Sequence, residues 1–247
     1  MFTVAQRDAL RERVLLLADQ DARVVAGAAV GSLALSGGDR FSDLDLTFGV
    51  ADRVPIREVL DDWTHRLADE LDAVHLVDLE RAPTIYRVFL LPDALQFDLS
   101  MMPAAAFRPA GPRFRLLFGE TAAGDARFPA PPVAADIFGW GVIYALHSRT
   151  CIERGRLWQA EHYVGAVRDH ALVLACLREG VPAVQARGYD DLSAQTLARF
   201  EGTHVGALEP EELRGALSAS VRALVHEAFE ARLPQAEAVA QRLAELH

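Results

Sequence analysis

Residues 31–46 read GSLALSGGDRFSDLDL, and this stretch decides the fold of the N-terminal half of the chain. A Gly-Ser pair follows an apolar run, and two aspartates, Asp43 and Asp45, open the next apolar run. Alternate residues of a β-strand point to the same side. Both carboxylates are therefore predicted to share one face of a sheet, while Leu44 and Leu46 face the core.

Two neighbouring carboxylates repel each other and lose hydration energy unless a cation lies between them. Asp98, in the strand-like run LQFDLSMM, offers a third carboxylate if its strand neighbours the first. Oxygen ligands of this kind suit Mg²⁺, and such a site supports in-line phosphoryl or nucleotidyl transfer. The alternative interpretation is that Asp43 and Asp45 are solvated residues of an edge strand. The nearby Gly-Ser pair and the third aspartate favour the metal site.

The Gly-Ser pair has the chemistry of a phosphate-binding turn. Gly31 lets the backbone approach a ligand closely, and Ser32 is predicted to cap a short helix whose free N–H groups attract an anion. Arg40 and the Ser42 hydroxyl, just before the acidic strand, are further candidates for phosphate contacts. For Arg40, the alternative is an ordinary solvated loop residue.

Together these residues resemble the nucleotidyltransferase superfamily, which includes DNA polymerase β and the kanamycin and lincosamide nucleotidyltransferases. The pattern is an apolar residue, Gly, Gly or Ser, a spacer, and then Asp-apolar-Asp-apolar. Here it is Val30-Gly31-Ser32, ten residues, and Asp43-Leu44-Asp45-Leu46. The resemblance covers about residues 20–103.

The resemblance implies a role for each residue of the pattern. Asp43 and Asp45 bind Mg²⁺, Asp98 is the third acid, as ligand or base, and Gly31 with Ser32 holds the β- and γ-phosphates of ATP or another NTP. It implies transfer of a nucleoside monophosphate, AMP from ATP, to a hydroxyl of a small molecule. An aminoglycoside- or lincosamide-like antibiotic is such an acceptor, so the resemblance also implies antibiotic resistance, and it allows a homodimer.

The hydrophobic patterns predict an α+β fold with two domains. Residues 1–115 form a nucleotidyltransferase domain, in which strands at 23–30, 43–49, 73–80, 85–91 and 95–101 make a mixed sheet with helices on one face. Residues 103–132 are rich in Pro, Gly and Ala and connect the domains, with a short ordered piece at 114–118. Residues 130–247 form a helical bundle, with helices at 133–153, 157–178, 191–200, 210–230 and 234–246.

The segment 155–180, GRLWQAEHYVGAVRDHALVLACLREG, resembles more loosely the helical half of small-molecule nucleotidyltransferases. By that resemblance Glu161 is the general base for the acceptor hydroxyl, and Arg168 contacts nucleotide phosphate or acceptor. Trp158, Glu161 and Arg168 share one helix face. The alternatives are a solvent-facing helix with charge pairs for Glu161, and core packing rather than ring stacking for Trp158.

Composition narrows the class of partner. The formal net charge of −10 argues against a nucleic-acid polymer as substrate and is compatible with a cationic small molecule. No apolar run is long enough to cross a bilayer, and the N-terminal residues lack a signal-like hydrophobic core. Cys151 and Cys176 lie in apolar helical patterns and are predicted to be buried thiols. We therefore expect a cytoplasmic protein that does not contact a membrane.

A second hypothesis is a regulatory or antitoxin-like protein that keeps the nucleotidyltransferase fold and binds or modifies a protein partner. The large helical half favours the enzyme, because it can complete a small-molecule site within the same chain. The sequence lacks the P-loop, the G-x-G-x-x-G fingerprint and the G-x-S-x-G elbow, so the kinase, dinucleotide and hydrolase classes have no support.

Overall fold

The computed structural model describes residues 2–34, 38–124 and 130–244. The chain divides into two compact units, Met1–Ala130 and Pro131–His247. Every described strand lies in the first unit, and the second is helical. The predicted α+β fold class, a mixed sheet followed by a helical bundle, is confirmed.

The described part of the first unit contains one six-stranded sheet, in the order β3-β4-β5-β2-β1-β6. Neighbouring strands are antiparallel except for β2 and β5, which are parallel. The strands are β1 (Val24–Val30), β2 (Leu44–Val50), β3 (Val74–Arg81), β4 (Thr84–Leu91), β5 (Leu95–Pro103) and β6 (Phe114–Phe118).

Two helices, α1 (Val4–Asp19) and α2 (Ile56–Leu71), cover one face of this sheet. A Thr3–Gln6 capping box starts α1, because each side chain accepts a hydrogen bond from the other residue's backbone N–H. The core between the helices and the sheet includes the fully buried Trp63 and Phe48. The opposite face of the sheet carries a smaller apolar cluster around Phe107.

The described helices of the second unit surround a core of their own. They are α3 (Ala134–Glu153), α4 (Leu157–Glu179), α5 (Ala194–Leu197), α6 (Pro210–Glu230) and α7 (Ala236–Leu243). Cys151 and Cys176 are free thiols and both are buried, as predicted. None of the described helices combines the length and apolar character that a membrane span requires.

Three elements differ from the sequence prediction. The ordered piece at 114–118 is a strand of the sheet, paired antiparallel with β1. The helix predicted over 191–200 is only α5 followed by a 3₁₀ turn at Ala198–Phe200. The last predicted helix, 234–246, is α7, which ends at Leu243, and residues 245 and 246 of the prediction lie outside the described residues. The sequence also predicts that Gly37-Gly38 breaks the short helix after Ser32, and Gly37 lies outside the described residues as well.

Candidate metal and nucleotide site

The parallel pairing of β2 and β5 brings the predicted acids together. In this register Asp45 lies directly beside Asp98, and Leu46 beside Leu99. Leu44 and Leu46 are completely buried among the residues that face the helices, so Asp45 points to the opposite side of the sheet. The predicted alternation of acid outside and leucine inside is therefore present in the structure.

Asp43, Asp45 and Asp98 offer one carboxylate oxygen each, and these oxygens all lie within 4.8 Å of one another. All three side chains are half-buried. Three like charges this close are unfavourable in a partly desolvated site unless a cation offsets them. A set made only of carboxylate oxygens fits a hard divalent cation such as Mg²⁺ or Mn²⁺.

The ionisation of Asp98 reflects this crowding. Burial raises the pKa of Asp98 above its ordinary value, and the nearby Asp43 carboxylate raises it further. The Gln96 side-chain amide donates a 2.9 Å hydrogen bond to Asp98 Oδ1, which opposes the increase in pKa. Gln96 precedes Asp98 by two residues on the same strand, so alternation along β5 places both side chains on the metal-facing side.

Gly31 lies against the carboxylate of Asp45. Its φ is +67°, a conformation that favours glycine, and a Cβ atom added at this position would lie 2.1 Å from Asp45 Oδ2. Any other residue would displace the carboxylate or the turn. The Gly-Ser corner and the acidic strand are thus in direct contact, which the sequence spacing alone could only suggest.

Ser32 is placed differently from the prediction. The expected helix is a single 3₁₀ turn, Gly31–Ala34, and Ser32 is its second residue rather than its cap. The Ser32 hydroxyl is buried and has no hydrogen-bond partner among the described residues. A buried, unsatisfied hydroxyl, one residue after the glycine that contacts Asp45, is an unusual cost for a native structure. It fits a group that hydrogen-bonds a ligand oxygen.

In the loop before the acidic strand, Ser42 and Asp39 hydrogen-bond to each other. The Ser42 hydroxyl donates to Asp39 Oδ1 and accepts from the Asp39 N–H, each at 3.0 Å. The Arg40 guanidinium is exposed and lies 4.2 Å above the Phe41 ring. Ser42 is therefore engaged in the turn itself, whereas Arg40 is accessible to an anion.

Arg7 of α1 supports the loop before the acidic strand, a role that the sequence motifs did not reveal. It is 2% exposed, and its Nη1 donates to the carbonyl oxygens of Asp39 and Ser42 at 2.6 and 3.0 Å. The Ser42 carbonyl belongs to the peptide that links Ser42 to Asp43, so Arg7 fixes the backbone entering the acidic strand. Its position seven residues before the buried Val14, on the same helical stripe, is a sequence signal from which its burial could have been predicted.

Thr47, on the same face of the sheet as the acids, is a second polar residue that the sequence motifs did not reveal. It follows Asp45 by two residues, pairs beside Ser100 of β5, and is 4% exposed. Its hydroxyl has no hydrogen-bond partner within the described ranges. The alternation that identified Asp43 and Asp45 continues to Thr47 and indicates that it lies on the same face.

The candidate residues of the helical unit lie on α4. Trp158 is 78% exposed, which rules out core packing for its ring. Glu161 is half-buried and forms no hydrogen bond or ion pair with another described residue. The Arg168 side chain pairs with Asp169 at 3.1 Å and lies 3.3 Å from His204 Nδ1. Arg168 also lines a cavity of about 830 Å³ within this unit, together with Tyr189 and Phe200.

No protein-family model matches the sequence, and no curated protein sequence does. Among solved structures, the chain is similar to an aminoglycoside 6-adenyltransferase from Bacillus subtilis, with 13% sequence identity over 99% of this chain and 92% of that chain. The TM-score is 0.37. A value this low leaves the geometry of the acidic site as the basis for a functional assignment.

Proposed function

We propose that the protein is a Mg²⁺-dependent nucleotidyltransferase that moves AMP from ATP, or the corresponding group of another NTP, to a hydroxyl of a small molecule. The observation that carries this proposal is the meeting of three carboxylates within 4.8 Å. The contact between Gly31 and Asp45 supports it, because it joins the turn predicted to bind phosphate to the acids.

In the proposed reaction the acceptor oxygen bonds to the α-phosphorus of ATP while the bond from that phosphorus to the bridging oxygen breaks. Pyrophosphate leaves, and AMP is joined to the acceptor. The hydroxyl proton passes to a carboxylate, either Glu161 or one of the three aspartates. Bound by these aspartates, Mg²⁺ would offset negative charge on the α-phosphate and on the leaving group.

Each remaining residue has a task that its surroundings support. The unpartnered Ser32 hydroxyl donates to a phosphate oxygen, and Gly31 allows the phosphates to approach the turn closely. The exposed Arg40 attracts the phosphate tail. Arg7 keeps the peptide before Asp43 in place, so that the carboxylates need little rearrangement when nucleotide binds.

The acidic site is tested by Asp45→Asn. Asparagine keeps the shape of the side chain but removes the charge, so we expect pyrophosphate release from ATP to fall at least about 100-fold, which is the range seen for loss of one charge-stabilising group. Pyrophosphate release is measured with Mg²⁺ across a panel of hydroxylated acceptors that includes aminoglycosides and lincosamides. Asp52→Asn, which changes a carboxylate near the other end of β2, is the matched control.

Two results would contradict the assignment. Wild-type protein that binds no ATP by calorimetry and releases no pyrophosphate with any acceptor would favour the regulatory or antitoxin-like alternative. Unfolding of the Asp45→Asn variant would indicate a structural role for the carboxylate. Glu161→Gln distinguishes Glu161 from the three aspartates as the base, since it should lower turnover without changing ATP affinity if Glu161 accepts the proton.

A further inference from the structure

Strands β3 and β4 present an apolar surface on the same face of the sheet as the three acids. This apolar shelf consists of Val77, Leu79, Tyr86, Val88 and Leu90. Val77, Leu79 and Leu90 are 55%, 49% and 40% exposed. Exposed aliphatic side chains clustered in this way are uncommon on a folded protein and mark binding surfaces.

The strand register places the shelf in continuous rows with the acidic site. Val77 pairs with Val88, Val88 with Asp98, and Asp98 with Asp45. Neighbouring strands are about 4.8 Å apart, so Val88 lies about 5 Å and Val77 about 10 Å from the Asp98 position.

A second row runs parallel to the first. Leu79 pairs with Tyr86, Tyr86 with Ser100, and Ser100 with Thr47. Leu90, opposite Gln96, extends the shelf on the other side of Val88. The shelf therefore ends where the polar side chains of β5 begin, and a molecule lying on it would touch the edge of the acidic site.

The other face of the same strands is occupied by an ionic network. Arg87 Nε and Nη2 donate to the two oxygens of Asp78 at 2.7 and 2.6 Å. Its Nη1 donates to Asp61 and Thr64 of α2 at 2.9 and 2.8 Å. Because polar groups link β3 and β4 to α2 on that side, packing against α2 does not account for the exposed residues of the shelf.

We infer that the apolar shelf holds the non-polar body of the acceptor while the acceptor hydroxyl reaches the three carboxylates. This inference rests on the proposed function and narrows its substrate class. A strongly hydrated polycationic sugar gains little by covering Val77, Leu79 and Leu90, whereas an apolar ring or chain gains by removing them from water. The acceptor is therefore an amphipathic alcohol with one apolar side.

The test measures binding rather than turnover. The full chain is loaded with Mg²⁺ and a non-hydrolysable ATP analogue and titrated with 2-(2-naphthyl)ethanol, a neutral fluorescent alcohol, and with kanamycin. We expect saturable binding of the naphthyl alcohol that is tighter than that of kanamycin. Leu79→Ser should weaken binding of the naphthyl alcohol about tenfold, because a ligand that covers a half-exposed leucine buries roughly half its side-chain area.

Matched variants define the controls. Leu16→Ser removes an equally exposed leucine, 54% exposed, from α1 and should leave binding of the naphthyl alcohol unchanged. The affinity for the ATP analogue should be the same in both variants and in the wild type. Circular dichroism checks that each variant is folded, which the exposure of both leucines favours.

Each contrary outcome has a separate meaning. Normal binding of the ATP analogue with no effect of Leu79→Ser on the naphthyl alcohol would overturn the shelf inference alone. An equal loss of analogue binding in Leu79→Ser would assign the shelf to the nucleobase and overturn it as well. A wild-type dimer that Leu79→Ser dissociates in sedimentation equilibrium would make the shelf a self-association surface. Failure of the wild type to bind the analogue would reject both the proposed function and the acceptor role.

Discussion

Gly31 shows how one backbone position joins the two halves of the candidate site. Its positive φ turns the chain after β1, and the absence of a side chain leaves room for the Asp45 carboxylate. The same glycine therefore serves the turn and the acid. A side chain here would disturb both, even though Gly31 itself supplies no functional group.

Gly31→Ala tests the turn while leaving all three carboxylates in place. The left-handed conformation costs about 1–2 kcal/mol for alanine, and the new Cβ would also push against Asp45 Oδ2. We expect a loss of stability of about 1–3 kcal/mol in urea unfolding and at least about a tenfold weaker affinity for Mn²⁺ with ATP, which corresponds to about 1.4 kcal/mol.

Gly139→Ala is the control for this change. Gly139 lies in α3. A Cβ atom added there would have no neighbouring atom of another described residue outside the helix backbone within 4 Å, so alanine should be neutral or slightly stabilising. Unchanged Mn²⁺ and ATP affinity in Gly31→Ala would show that the turn tolerates a side chain and does not form part of the site.

At the residue scale, local spacing was enough to predict which acids and which glycine would come together. Asp43, Asp45 and Gly31 follow from one continuous stretch, and Asp98 follows from an acid within an apolar run. Arg7 could not be assigned its role in the same way, because its carbonyl partners lie more than 30 residues away in sequence. Contacts that depend on tertiary structure leave no local pattern.

At the scale of elements, a buried carboxylate links α1, β1 and α2. Asp21, in the turn between α1 and β1, is 8% exposed and accepts a 2.9 Å hydrogen bond from Trp63 Nε1 on α2. Arg23 donates two further side-chain bonds to it, at 2.9 and 2.8 Å. The Arg23 side-chain hydrogen bonds are the largest cause that lowers the pKa of Asp21 to about 2.

This pKa gives the first unit a specific acid sensitivity. Because the carboxylate is favoured in the folded state, its contribution to stability is complete above the unfolded pKa of about 4 and is lost as the pH falls towards 2. The contribution is about 2 kcal/mol. Urea unfolding between pH 6 and pH 2 should show a steeper loss for wild type than for Asp21→Asn.

Asp19→Asn, which changes an exposed carboxylate two residues away, provides the comparison and should retain the wild-type slope. If the free energy of unfolding fell equally with pH in Asp21→Asn and wild type, protonation of Asp21 would not account for the acid sensitivity.

Element prediction was accurate for the long helices and for strands β1 to β5, and it missed β6 as a strand. The helices α3, α4 and α6 have long apolar stripes, and their predicted ranges agree with the structure within a few residues. The strand β6 has only five residues within a segment rich in proline and glycine, and it exists because β1 offers an open edge. No local signal reports such an edge.

At the scale of the whole molecule, the chain holds separate apolar cores. The helical unit packs around residues such as Leu224, Phe138 and Leu174, while the sheet and α1–α2 enclose their own cluster. Leu224 is completely buried, and its two methyl groups lie 2.8 Å from where a Cβ would stand at Gly141. The close approach of α6 to α3 therefore leaves little space for relaxation.

Leu224→Ala should destabilise the helical unit by about 3 kcal/mol, because the cavity cannot collapse. Hydrogen exchange measured by mass spectrometry should show lost protection in α3, α4 and α6, with protection kept in β2 and β5. Leu146→Ala, which removes a 45% exposed leucine from α3, should have little effect. An equal loss of protection in the sheet would show that the two units unfold as one.

The parallel pairing of β2 with β5 has a further consequence. A slip of one residue between these strands would turn Asp98 towards the helices and set Phe97 or Leu99 beside Asp45. The misaligned chain would lose its core and its acid cluster in the same event. On the proposed function, titrating a refolded sample with a divalent ion and nucleotide would therefore count only correctly assembled molecules, and ligand occupancy would measure the fraction of correctly folded chains.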